Sequence, residues 1–248
     1  MGQVKFKVIG SGDAFACKGK FNTCFYVTST QSNFLIDCGA TSLVALHQYG
    51  ITTDDIDTII ITHFHGDHYG GIPFLLLDAK ILKSREKPLT IISPPGCKDR
   101  LTTLIEALYP QSSDLLWKLN VKFFEYKEGK VINVNNLKIE SFPVIHSEPA
   151  LPHAVRINVE DKVIAYSGDT EWTDNLISVA DGADLFIIEC NLFDSKVGGH
   201  LDYSTLLEHE SDLKCRKLML THMGDEMFDN LDKVKHAWLE DGLEFIVE

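Results

Sequence analysis

Residues 57–71 read D-T-I-I-I-T-H-F-H-G-D-H-Y-G-G. The first half is an unbroken apolar run rich in isoleucine, the pattern of a buried strand. It ends in four possible metal ligands within six positions: His63, His65, Asp67 and His68. Such close neighbours converge only if the loop curls around a common point, and a cation is the simplest object to hold there. Gly66, Gly70 and Gly71 allow the tight backbone this requires. Imidazole and carboxylate donors suit zinc, iron or manganese.

The flanking sequence extends the pattern. Short apolar or alternating runs at 4–10, 25–29 and 33–39 stop at Gly or polar turns and read as strands, and residues 41–49 have helical spacing that ends at Gly50. Further strands follow in LTIISP, VKFFEY, VINV, LKIESFPV, VRINVE and KVIAYSGD, with a helix near 98–108. A second helix is expected over about 230–240, before a closing strand LEFIVE. The class is α/β with much antiparallel pairing. Two pairs of stretches are alike: TIIITH (58–63) with LMLTH (218–222), and FLIDCG (34–39) with IAYSGDT (164–170). They suggest two related βα halves facing one another across a site, within one domain spanning 1–248.

Composition narrows the partners. A net charge of −13 lacks the Lys and Arg excess that long phosphate backbones demand, while small anions can still be drawn to a local positive site. No window holds the roughly 18 apolar residues of a membrane span, and the first residues do not follow a signal-peptide pattern, so a cytoplasmic protein that does not enter membranes is expected. Six scattered cysteines without a CxxC pair read as reduced thiols. A homodimer is compatible with all of this.

HFHGDH resembles the signature loop of the metallo-β-lactamase superfamily. FKVIGSGDAF, NFLIDCGAT, IDTIIITHFHGDHYGGIP, the isolated His146 in VIHSEP, AYSGDT and LMLTHM resemble, in order, the blocks of ribonuclease Z and its smaller phosphodiesterase relatives. The resemblance implies an αββα sandwich of two mixed sheets packed face to face with helices outside. It also implies a binuclear site, with His63, His65 and His146 on the first metal, Asp67, His68 and His222 on the second, and Asp169 bridging. Two Zn²⁺ ions are expected, with Mn²⁺ or Fe²⁺ as alternatives. Two divalent ions, two carboxylates and a bridging hydroxide leave about one net positive charge, which attracts a mono-anionic ester; metal ligation brings the water's pKa to about 7.

Other residues are weighed on the same basis. His200, in GGHLDYST after ADLFIIECNLF, resembles the catalytic His of ribonuclease Z relatives, although Leu201-Asp202-Tyr203 interrupt the match. Asp67 and His200 are the expected catalytic residues. Asp37 stands where the family orients a ligand histidine. His153 reads as a loop residue, and His47, His209 and His236 as helix residues without function. Ribonuclease Z carries a basic arm that grips transfer RNA, whereas here only 22 residues separate His146 from Asp169. A small anionic ester is therefore the expected substrate, and transfer RNA is disfavoured. The leading reading is a phosphodiesterase for small or cyclic diesters. A lactonase, thioesterase or arylsulfatase could use the same site, and a mononuclear-iron sulfur oxygenase or a scaffold with a vestigial site are the alternatives of other classes.

Overall fold

Strands covered on both faces need no polar alternation, and the two apolar runs TIII and LTIIS lie side by side in such a position. In the computed structural model, which describes residues 2–248, fourteen strands form two seven-stranded sheets. The first contains β1 (Lys5–Gly10), β2 (Cys24–Thr28), β3 (Asn33–Ile36), β4 (Thr58–Ile60), β5 (Leu89–Ser93) and β6 (Val121–Glu125), and is completed by β14 (Glu244–Ile246) beside β1. The second contains β7 (Ile132–Val134), β8 (Leu137–Pro143), β9 (His153–Val159), β10 (Lys162–Tyr166), β11 (Leu185–Glu189), β12 (Leu218–Thr221) and β13 (Ala237–Trp238). Each sheet is mixed: β3 to β6 run parallel, as do β10 to β13, and the remaining neighbours are antiparallel.

The apolar positions sort by face. Phe34, Ile36, Ile60 and Ile92 point inward and meet Ile157, Ile164, Tyr166 and Ile187 of the other sheet. Their neighbours Leu35, Ile59 and Ile91 point outward against α1 (Ser42–Gln48), α3 (Ile72–Ile81) and α4 (Cys97–Leu108). On the far side Ala165, Phe186 and Ile188 pack on α6 (Asn175–Ala180) and α7 (Tyr203–His209). The short helices α2 (Gly66–Tyr69), α5 (Leu115–Lys118) and α8 (Asp225–Asp229) complete the set. This is the αββα sandwich. At about 1.5–3 kcal/mol for each large apolar side chain buried, three such layers of contact set the fold. All six cysteines are free thiols, four of them buried.

Two expectations are corrected. No long helix covers 230–240: a single 3-10 turn, Leu231–Lys233, is followed by β13, whose Ala237 and Trp238 pair with Met219 and Leu220. Sheet pairing wins there over a helical reading of a mixed charged and apolar stretch, and His236 lies just before that strand, not in a helix. The two Thr-His strands are also not equivalent. β4 adjoins the Asp37 strand β3 directly, while β11 intervenes between the Asp169 strand β10 and β12. Among the described residues no helix is long and apolar enough to cross a membrane.

Candidate metal centre

The parallel strands end at one edge of the sandwich, where the carboxyl ends of strands in α/β sheets commonly carry ligand sites. His63 follows β4 by three residues, Asp37 follows β3, Asp169 follows β10, and His222 follows β12 directly. His65 stands at the N-cap of α2, so one turn of helix places Asp67 and His68 beside it. His146 follows β8 by three residues.

Seven side chains named from the sequence come together in two groups that share Asp169: His63, His65, His146 and Asp169, then Asp67, His68, Asp169 and His222. Within each group the ligand atoms lie within 4.8 Å of one another. In the first, His146 Nε2 is 3.0 Å from His65 Nδ1 and 3.9 Å from Asp169 Oδ2, and His63 Nε2 is 3.8 Å from the same oxygen. In the second, His68 Nε2 lies 3.3 Å from Asp67 Oδ2 and 3.2 Å from Asp169 Oδ1. His222 Nε2 lies 3.2 Å from Asp67 Oδ2 and 3.4 Å from Asp169 Oδ2.

Divalent ions fit this donor set. His63 Nε2 is buried with no hydrogen-bond partner, an orphan that costs about 1–3 kcal/mol unless something satisfies it, and His68 Nε2 and Asp169 Oδ1, 3.2 Å apart, make no well-aligned hydrogen bond. Their ring partners on the other side are already in place. Asp37, fully buried, lies 2.7 Å from His68 Nδ1 and accepts both the amide and the hydroxyl of Thr62. Thr62 Oγ1 lies 3.1 Å from His63 Nδ1. With its hydroxyl proton given to Asp37, that oxygen accepts from His63, so one carboxylate turns two rings with Nε2 toward the site. His146 Nδ1 donates to the Gly199 carbonyl at 2.6 Å. Such partners fix the tautomer that a ligand histidine needs.

Electrostatics separate the two groups. Burial, aided by the neighbouring His68, holds His63 well below the usual histidine range, and burial also lowers His65 and His146. For His68 burial opposes the charge, but Asp169, Asp67 and Asp37 outweigh it and hold the ring well above its ordinary value. Burial likewise opposes charge on His222, which Asp169 and Asp67 nevertheless push up to about 9. Asp67 and Asp169 stay ionised against burial because these imidazoles face them.

Other sequence expectations land in different places. His200 joins the site: Nδ1 is 3.0 Å from Glu189 Oε1, and its ring lies 4.8 Å from that of His146 and 5.6 Å from that of His222. Burial opposes its charge, and the hydrogen bond to Glu189 raises it. Glu189, whose mark in the sequence is that it closes the all-apolar run LFII ahead of the GGH stretch, is fully buried at the end of β11. His153 begins β9 and donates from Nδ1 to Leu151, outside the ligand groups. His47 and His209 lie in α1 and α7, also outside those groups.

A family model described as anti-Pycsar protein Apyc1 matches residues 4–240. The anti-Pycsar protein Apyc1 of Bacillus phage 010DV004 is 28% identical over 249 residues, covering 93% of each chain. Ribonuclease Z of Ignicoccus hospitalis is 27% identical over 233 residues, covering 76% of each. Among solved structures, the metallo-β-lactamase fold protein YhfI of Bacillus subtilis superposes with a TM-score of 0.79 at 23% identity, covering 98% of this chain and 99% of that one.

Proposed function

This chain belongs to the family of the anti-Pycsar protein Apyc1 and is a metallo-hydrolase akin to ribonuclease Z, and on that premise we propose that it is a binuclear phosphodiesterase acting on small or cyclic phosphodiesters. The observation that carries the reading is the pair of ligand groups joined through Asp169, with the buried Glu189 and the half-buried His200 paired at their margin. His63, His65 and His146 would hold one ion, Asp67, His68 and His222 the other, with Asp169 between them; zinc suits this donor set best. Two such ions supply an acidified water as nucleophile and positive charge for the developing oxyanion.

The chain's own groups do the rest. With two divalent ions and one hydroxide, Asp67 and Asp169 would leave the site about one charge positive, which favours a mono-anionic diester over a neutral ester. Glu189 orients His200 so that Nδ1 is occupied and Nε2 is free, and this hydrogen bond raises the ring above the usual histidine value against the effect of burial. His200 is thus placed to hand a proton to the leaving oxygen. Ribonuclease Z, by its name, cleaves RNA, a phosphodiester. Here the residues between His146 and Asp169 fold as the tight β9–β10 hairpin, and the net charge is −13, so a long polyanion finds few contacts.

The test is metal content measured alongside hydrolysis of a cyclic nucleotide, an aryl phosphodiester, a phosphomonoester, a lactone, a thioester and a precursor transfer RNA. Two ions per chain with turnover confined to the small diesters is expected. Faster turnover of the lactone or thioester, or efficient salt-sensitive transfer-RNA cleavage, would overturn the substrate class. A single ion that reconstitution cannot raise to two would overturn the binuclear mechanism.

A further inference from the structure

Between β11 and α7 the chain has no helix, and only an isolated bridge of Leu192 to Asp202 interrupts the loop. Val197 is exposed, and two successive glycines, Gly198 and Gly199, give the backbone the most freedom just before His200. A loop of this kind holds a proton donor in place only if something pins it.

Three contacts do so. Glu189 takes His200 Nδ1 at 3.0 Å, and the Gly199 carbonyl accepts from His146 Nδ1 at 2.6 Å. The third comes from a residue with no role so far: Glu171 Oε1 accepts the Gly199 amide at 2.7 Å. Gly199 sits at φ +89°, and a Cβ there would lie 2.7 Å from His146 Nδ1, so the close approach to the imidazole is built into the backbone. Glu171 is itself anchored. Its amide donates to the Ile145 carbonyl at 2.8 Å, and the preceding Thr170 takes the Ile145 amide on its hydroxyl at 3.1 Å while giving its own amide to Glu189 at 2.6 Å. The strand-end segment carrying His146 and the loop carrying His200 are therefore fastened to the same two residues, Thr170 and Glu171.

We propose that Glu171 is a positioning residue that sets His146 and His200 together: by holding the Gly199 amide it fixes the Gly199 carbonyl that orients His146 and the start of the residue that donates the proton. It belongs to none of the ligand groups and acts through the Gly199 amide. The proposal rests on the roles given above to His146 and His200, and its consequence is a coupling. Losing the carboxylate acceptor should loosen the first ion and misplace the donor at the same time, whereas a purely local loop defect would do only the second.

The experiment compares the wild-type protein with Glu171→Gln, which keeps an acceptor oxygen, and Glu171→Met, which keeps the length and removes it. Three readouts are taken: release of zinc to a chelator, imidazole nitrogen NMR shifts of His146, and turnover across a leaving-group series with and without His200→Ala. For Glu171→Met we expect about 10- to 100-fold faster loss of one of the two ions, a mixed His146 tautomer, and lower kcat on poor leaving groups at nearly unchanged KM. In the His200→Ala background the kcat loss should shrink, because the donor it acts through is gone. Glu171→Gln should restore all three. Unchanged ion release and tautomer in Glu171→Met, an undiminished kcat loss without His200, or a Gln variant as impaired as Met would each overturn the proposal. Ion release and NMR need no substrate, so a wrong substrate class would show as inactive wild type while these arms still decide the role of Glu171.

Discussion

The two halves of the site share a carboxylate and little else. The first group, His63, His65 and His146, consists of imidazoles that burial keeps neutral, and two of its members remain partly open to solvent. The second, Asp67, His68 and His222, is buried throughout, and its rings face enough carboxylate to hold protons. One half is thus ready to accept a cation without giving anything up, while the other must release protons as it does so. The difference arises from partners: His68 and His222 face the carboxylates of Asp67 and Asp169 at 3.2–3.4 Å, whereas the nearest carboxylate oxygen to His63 and His146 is 3.8–3.9 Å away.

The harshest way to break the comparison is to remove the group common to both halves. Asp169→Ala should lose both ions and reduce turnover by at least about 10⁴-fold, while the apolar strands keep the fold. Elemental analysis, circular dichroism and turnover measured together decide it. Near wild-type turnover would mean that Asp169 does not join the halves.

The next effect belongs to the histidine that flanks both. His200→Ala should retain two ions and lower turnover on poor leaving groups by roughly 10² to 10⁴, with less loss on nitrophenyl esters. Loss of an ion would make it a ligand, in keeping with its place beside Glu189 and His222. An equal loss across the series would remove it as the proton donor.

A smaller effect sharpens the contrast. Asp37→Asn should weaken ion binding by about 10- to 100-fold and act mainly on the second half, because its Oδ2 holds His68 directly and reaches His63 only through Thr62. Cobalt substitution, with the spectra of the two halves followed separately, would show this. Equal weakening of both halves would mean that the Thr62 relay is as strong as the direct contact.

Much of this site was legible because the chain writes its ligands where strands end. The run TIII followed by HFHGDH gives strand, loop and donors in one stretch, and the apolar IAYSG and LMLT likewise deliver Asp169 and His222. What sequence hid is what depends on neighbours from other strands. Glu189 is an ordinary strand-ending residue until β10 and β12 flank it. Glu171 and Gly199 meet through one hydrogen bond from a backbone amide to a side-chain carboxylate, between segments 28 residues apart. The supposed helix at 230–240 failed for the same reason, since β12 offered Trp238 a pairing edge that no local pattern announces.

The subtlest prediction concerns stability without ions, where the two halves should pull in opposite directions. His222, raised to about 9, stays protonated in the folded chain after the unfolded chain has let its proton go. Its contribution is therefore complete below pH about 6.5 and is lost as pH rises through about 9, and His68 acts in the same sense. His63 is the reverse: held neutral when folded, it resists the proton that the unfolded chain takes up below pH about 6.5, so stability falls as pH drops from there. Chelator-treated protein should thus be most stable near pH 6.5 and decline on both sides, by about 1.4 kcal/mol for each unit of pH that separates one group's folded and unfolded values. Urea unfolding between pH 5.5 and 9.5 would trace the curve. His222→Gln should flatten only the alkaline side and His63→Gln only the acid side. With zinc in excess the alkaline decline should vanish, because an ion then occupies the place the protons held. If either substitution changed both sides alike, the halves would be electrostatically one, and the division drawn between them would be wrong.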